Sequence, residues 1–328
     1  MLDSKRACLA LLAALCLTAF LLAQEATLDA AKAAYEKGDY AKTVELLQAA
    51  GAKSPNNGEI YLWLTKSYLE LKQYDNAVSS GEKAVAIEAN SSVYHQWLGE
   101  AYGAKADHSS MLSAYSWARK TQKEFDAAVQ LDPRNYDAVQ DLIEYDCTAP
   151  SMVGGGEDKA QPLIAKLMQM NAAEGHYATA ICKAQKKDYA AADAEFAKAL
   201  ENKPQTAKRV YDIGDYFLQR GQADKLVLVA SEGEALAPAD PRGKFYRACA
   251  GILRGDQLAD AEKQLREYLQ TAPSNSEYPA AWQGHYWLGR LYEGQKNPGA
   301  ARNEYQAALK LNAKYKPAQE ALKRLGGS

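Results

Sequence analysis

Residues 282–315 read WQGHYWLGRLYEGQKNPGAARNEYQAALKLNAKY, and this stretch decides the fold. Its first half puts His285, Leu288, Gly289 and Tyr292 on one helical face, and its second half does the same with Ala301, Tyr305, Ala308 and Leu309. Gln295 to Gly299 supplies a turn between them. The stretch therefore predicts one helical hairpin. Apolar residues recur at helical rather than alternating spacing along the rest of the chain, which predicts an all-α protein.

The same pattern returns at a period of 34 residues. Eight units emerge, at about 24–57, 58–91, 92–135, 136–172, 173–206, 207–240, 241–275 and 282–315. Most keep a small residue at the eighth place, an aromatic near the eleventh, and Ala at the twentieth and twenty-seventh. Departures are Thr43, Gly81, Leu226 and Gly233, which stand where Ala or an aromatic is usual. Two units are longer. The third carries about ten extra residues at 103–113, expected to lengthen the loop or add a turn of helix. The fourth carries about five extra in TAPSMVGGGEDKA, where Pro150 and glycines 154–156 should stop the first helix. Residues 316–325, with Pro317 in the first turn, read as a capping helix with Leu322 and Leu325 on its apolar side.

This spacing resembles the tetratricopeptide repeat, over about residues 24–325. The resemblance implies a right-handed α-solenoid that forms a single domain. It also implies a concave groove lined by first-helix residues at the second, fifth, ninth and twelfth places. On this register the ninth-place ladder is Lys32, Lys66, Glu100, Glu144, Ile181, Asp215, Cys249 and Arg290, basic at its start and acidic in the middle. The fifth place holds Gln96, Gln140, Tyr177, Tyr211, Phe245 and Tyr286, whose aromatics would make a wall suited to a protein or extended peptide. Family members that clamp acidic tails use Lys, Arg and Asn on consecutive first helices. Only Lys32 and Lys66 fit that pattern, and Glu100 and Glu144 break it.

Residues 1–23 stand apart. Lys5 and Arg6 precede an apolar run from Ala7 to Ala23, the pattern of a secretory signal peptide cleaved after Ala23. An uncleaved anchor is the alternative, and would be the only membrane attachment expected. Neither Cys8 nor Cys16 sits in a lipobox. A periplasmic or secreted location follows, together with the expectation that Cys147, Cys182 and Cys249 are buried thiols, since they lie far apart in sequence.

Composition selects no partner: 47% of the 328 residues are hydrophobic, 24% are charged and the net charge is −2, with no bias toward nucleic acid. No GxSxG, HExxH or paired CxxC motif occurs, so no catalytic, metal or cofactor site is expected. His95, His176 and His285 share the fourth place of their units and read as packing residues; His108 lies in the insertion. The GGGEDKA string lacks a phosphate-loop ending, and Glu157 and Asp158 would repel phosphate, so it reads as a turn. The expectation is an exported, non-enzymatic scaffold. The alternative is an enzyme or small-molecule carrier whose site is formed by insertions 103–113 and 149–158.

Overall fold

The structure, a computed structural model, describes residues 25–326. The expected signal segment and its cleavage point lie outside the described residues. Among those described there are seventeen α-helices and one 3-10 turn, with no strand. They pair as hairpins: α1 (25–36) with α2 (Tyr40–Lys53), α3 (Gly58–Glu70) with α4 (Tyr74–Ile87), and α5 (Ser92–Asp107) with α6 (Met111–Leu131). Then come α7 (Tyr136–Thr148), the 3-10 turn Ser151–Val153 and α8 (Glu157–Met170). The remaining pairs are α9 (Ala172–Gln185) with α10 (Tyr189–Glu201), α11 (Ala207–Gln219) with α12 (Ala223–Leu236), α13 (Arg242–Arg254) with α14 (Leu258–Thr271), and α15 (Ala281–Gly294) with α16 (Pro298–Leu311). Helix α17 (Lys316–Gly326) closes the chain. It packs Ala318 and Ala321 against Tyr305 and Ala308, as a cap should.

The chain divides into two compact units, one ending at Gly156 and the other starting at Glu157. In the first, Leu47, Ile60, Leu64, Ala77 and Leu98 form the core; in the second, Phe196, Phe217, Leu226, Phe245 and Leu265 do so. Within each unit first helices stack on one another, α3 on α5 and α5 on α7, and α11 on α13 and α13 on α15.

Local rules set the hairpin ends. Asn57, Ser91, Asn135, Asn171 and Thr206 each accept a backbone N–H from the first turn of the helix that follows. The first helices of six hairpins end on one residue in the left-handed region, at Gly38, Lys72, Lys187, Gly221, Gly255 and Lys296, with φ of 76°, 58°, 62°, 67°, 74° and 59°. The next N–H then reaches back five residues, as Asp39 does to the Ala34 carbonyl at 2.9 Å, which satisfies an orphan carbonyl and turns the chain. All six stand at the fifteenth place of their units.

The two longer units lack that residue. In the third, Ala106 stays helical, so α5 runs to 16 residues and α6 to 21, against 13 and 14 in the preceding hairpin. The insertion is thus mostly helix, and the loop is only 108–110. In the fourth, α7 stops before Pro150, and Gly154 takes φ +105° after the 3-10 turn. A side chain there would meet Gln122, whose amide donates to the Gly154 carbonyl at 3.2 Å.

Small residues hold the helices together as the spacing implies. Ala77, Ala192 and Ala301 are fully buried, and a Cβ at Gly289 would come within 2.5 Å of the Tyr305 ring. Thr43, where Ala is usual, is also enclosed, and its hydroxyl donates to the Asp39 carbonyl at 2.9 Å. Ala301→Leu is expected to overpack this crossing and cost about 1 to 3 kcal/mol. An unchanged denaturant midpoint would contradict the register.

The expectation of three unpaired thiols does not hold. Cys147 and Cys182 are disulfide-bonded, and Cys249 is the free, buried cysteine among those described. The expectation rested on separation along the chain, which does not by itself keep a thiol unpaired.

Candidate functional site

Several of the expected groove residues are already engaged or enclosed within the protein. Lys32 pairs with Glu59 at 2.7 Å. Lys66 sits between two half-buried indoles, its ammonium 4.6 Å from the Trp63 ring and 4.4 Å from that of Trp97. The basic end of the ladder is therefore already engaged within the protein.

The fifth place is a correction. Tyr211 and Phe245 are 1% and 0% exposed, so they are core residues and offer no wall to a partner. Gly233 explains the depth of Tyr211: a Cβ there would lie 2.4 Å from its ring, so the absent methyl makes the room. Gln96 and Gln140 are buried too. Tyr177 is half-buried beneath the Arg209 guanidinium, 4.0 Å from its ring, and Tyr286 packs on Tyr305 and Tyr315. Asp215 is exposed, with one oxygen accepting from the Tyr246 hydroxyl at 2.7 Å, and Arg290 lies over Trp287. Ninth-place Cys249 is enclosed, and burial pushes its thiol up, away from reactivity.

Nor are the fourth-place histidines simple filler. His95, His176 and His285 each bring Nδ1 to a carboxylate of their own hairpin, Glu124, Glu195 and Glu304, at 2.6, 2.7 and 2.7 Å. His108 stacks on Tyr74 with ring centroids 4.3 Å apart, and its Nδ1 meets the Ala104 carbonyl at 2.9 Å. No group of three or more metal-ligating side chains occurs among the described residues, and no helix among them is long and apolar enough to cross a membrane.

What the structure does bring together is the two insertions. The Tyr145 hydroxyl on α7 lies 2.8 Å from the carbonyl oxygens of both Ala118 on α6 and Val153 in the 3-10 turn. That anchor, with the Gln122 bond to Gly154, holds the second insertion against the extended α6. The result is a cavity of ≈ 940 Å³ walled by the ends of α5, α6 and α7 and by the 3-10 turn. Its rim is apolar and open to solvent, with Met111, Leu112 and Met152 exposed by 89%, 90% and 70%.

Its polar side is acidic. Glu100 and Glu144 from the ninth-place ladder both line it, together with Asp141 and Asp107, and no Lys, Arg or His is among the lining residues. Asp141 is half-buried, and the Gln96 amide donates to it at 2.8 Å. Desolvation, then the negative charges of Glu100, Asp137 and Glu144, raise its carboxyl well above the ordinary range despite that hydrogen bond. Glu144 is exposed to the cavity, yet the protein wall around it also raises its pKa.

Asp141 escapes the sequence reading because it occupies the sixth place, which the repeat does not assign to a groove. Met111 and Leu112 fall within a polar insertion, where an adjacent apolar pair is the available signal. The raised Asp141 has a definite consequence. Its protonated form is favoured by folding, so that stability is present at acid pH and is lost as pH rises from about 4 through the raised folded value. Asp141→Asn, permanently neutral, should match the natural chain's melting temperature near pH 4 and exceed it progressively toward about pH 7.5. A constant difference across that range would contradict the raised pKa.

Residues 34–101 and 253–316 each match the sequence profile of the tetratricopeptide repeat. Both segments are tetratricopeptide repeats. Such repeats generally mediate protein–protein interactions. Both insertions lie between the two matched segments. No curated protein matches the chain. Among solved structures, the thermophilic repeat protein TTC0263 of Thermus thermophilus is similar at 21% identity, over 60% of this chain and 99% of its own, with a TM-score of 0.48. A repeat protein from Parabacteroides merdae is similar at 14% identity over 92% and 98%, with a TM-score of 0.40. The Cut9–Hcn1 structure of the APC/C is similar at 12% identity over 91% and 55%, with a TM-score of 0.49.

Proposed function

We propose that this chain is an exported, non-enzymatic scaffold that binds a protein or peptide segment, and that the cavity between α5, α6 and α7 is where it does so. The carrying observation is the exposure of Met111, Leu112 and Met152 around that cavity. Large apolar side chains gathered on an open concave surface mark interaction sites, and flexible methionines suit a surface that must fit a partner. The non-enzymatic reading draws on the cavity's contents. Its polar groups are carboxylates, hydroxyls and main chain, and the one histidine of the insertion is held by Tyr74 and Ala104 outside it. Export is supported by the basic and apolar pattern of residues 1–23.

The test is a pull-down from bacterial envelope extract with the natural chain and with Leu112→Ser and Met152→Ser. Both side chains are exposed, so neither change should disturb folding. Loss of the retained protein in these variants is expected. Retention of the same partners in both would remove the cavity from the function. The cavity's volume favours one second reading, a carrier of a small apolar amine. In that case the natural chain would bind such an amine and retain no protein through Leu112 and Met152.

A further inference from the structure

We propose that the cavity between α5, α6 and α7 receives a cationic amphipathic helix, whose apolar face rests on Met111, Leu112 and Met152 and whose Lys or Arg reaches Asp141 and Glu144. The inference rests on the protein-binding reading above and adds the chemistry of the partner.

Sign of charge comes first. Four carboxylates and no basic side chain line the cavity. Lys105, the cation nearest in sequence on α5, is turned to Asp75 at 2.6 Å and does not line the cavity. Asp141 and Glu144 stand three residues apart on α7, hence on one face of that helix. A guest with a positive group would offset the repulsion among the four carboxylates that line the cavity, whereas an acidic peptide, an anionic headgroup or a nucleic acid would add to it.

Shape and hydrogen bonding decide the guest's conformation. The walls are helices and a 3-10 turn, and there is no strand among the described residues, so no sheet edge is present there to pair with an extended backbone. A segment entering an apolar cleft must still satisfy its own N–H and C=O groups, and a helix does that internally. Long Lys and Arg stems can lie along an apolar rim while the charged head reaches the carboxylates. The rim and the acidic side thus ask for the two faces of one amphipathic helix.

The experiment uses the full chain and two fluorescein-labelled synthetic helices of about 18 residues, one of Leu and Lys and one of Leu and Glu, followed by fluorescence anisotropy. The natural chain should bind the Leu/Lys helix and not the Leu/Glu helix. Affinity should fall by about tenfold or more in Glu144→Lys and in Leu112→Ser, with circular dichroism unchanged. Equal binding of both helices, or Leu/Lys binding indifferent to both substitutions, would overturn the proposal. The envelope pull-down separates the two levels. If neither helix binds while a natural partner is still lost in Leu112→Ser, the charge assignment fails and the protein-binding reading stands. If neither helix binds and no partner depends on Leu112, both fall.

Discussion

Arg209→Ala should cost about 3 to 5 kcal/mol, one of the two largest losses expected from a single change in this chain. Arg209 and Glu174 lie in the first turns of α11 and α9, and both side chains are only 8% exposed. The guanidinium Nε donates to both carboxylate oxygens, at 3.2 and 2.9 Å, and Nη1 donates to Asp212 at 3.3 Å. Burial works against the Arg209 charge, but Tyr177, Glu174 and Asp212 outweigh it and raise its pKa. Removing the cation leaves Glu174 enclosed with its main counter-charge gone, which is more costly than never having had the pair. Arg209→Met with Glu174→Met should therefore recover most of the loss in chemical denaturation. A double variant as unstable as Arg209→Ala would show that packing of the guanidinium over Tyr177 matters more than the charge.

Tyr246→Ala comes next, also at about 3 to 5 kcal/mol, because it empties a fully enclosed site. The ring stacks on Tyr211 with centroids 5.5 Å apart and packs edge-on against Phe245. Its hydroxyl lies 2.7 Å from an Asp215 oxygen, to which it donates, and 3.1 Å from the Tyr211 carbonyl oxygen. Tyr246→Phe keeps the packing and deletes only the donor, for about 1 to 3 kcal/mol. The Phe variant should also raise the Asp215 pKa further above the ordinary value, since Tyr246 is the hydrogen bond that opposes its desolvation. Equal losses in the two variants would mean that the ring contributes little.

The hairpins were legible because packing leaves a periodic trace. Small residues such as Ala77 and Ala301 must recur where backbones cross, and the cap must follow the last copy. Which side a given place faces was less legible. Tyr211 and Phe245 occupy the fifth place, yet the room left by Gly233 and the stacking of α11 on α13 draw them inside. Charge alone misled at Lys66, since the indoles of Trp63 and Trp97 come from different repeats. The acidic middle of the ladder pointed to the right neighbourhood, at Glu100 and Glu144. The cavity itself depends on how the two insertions fold back on each other through Tyr145 and Gln122, and a one-dimensional period carries no record of that.

The left-handed residue that closes six of the hairpins makes each of them a cassette with its own boundaries. A unit that turns on a single backbone angle, and at Asn57, Asn171 and Thr206 also starts on a side-chain cap, needs no instruction from its neighbours about length. Whole copies can then be gained or lost without shifting the register of the others. The third and fourth units, with Ala106 and Pro150 at that place, have given up this interchangeability, and the cavity stands where they did so.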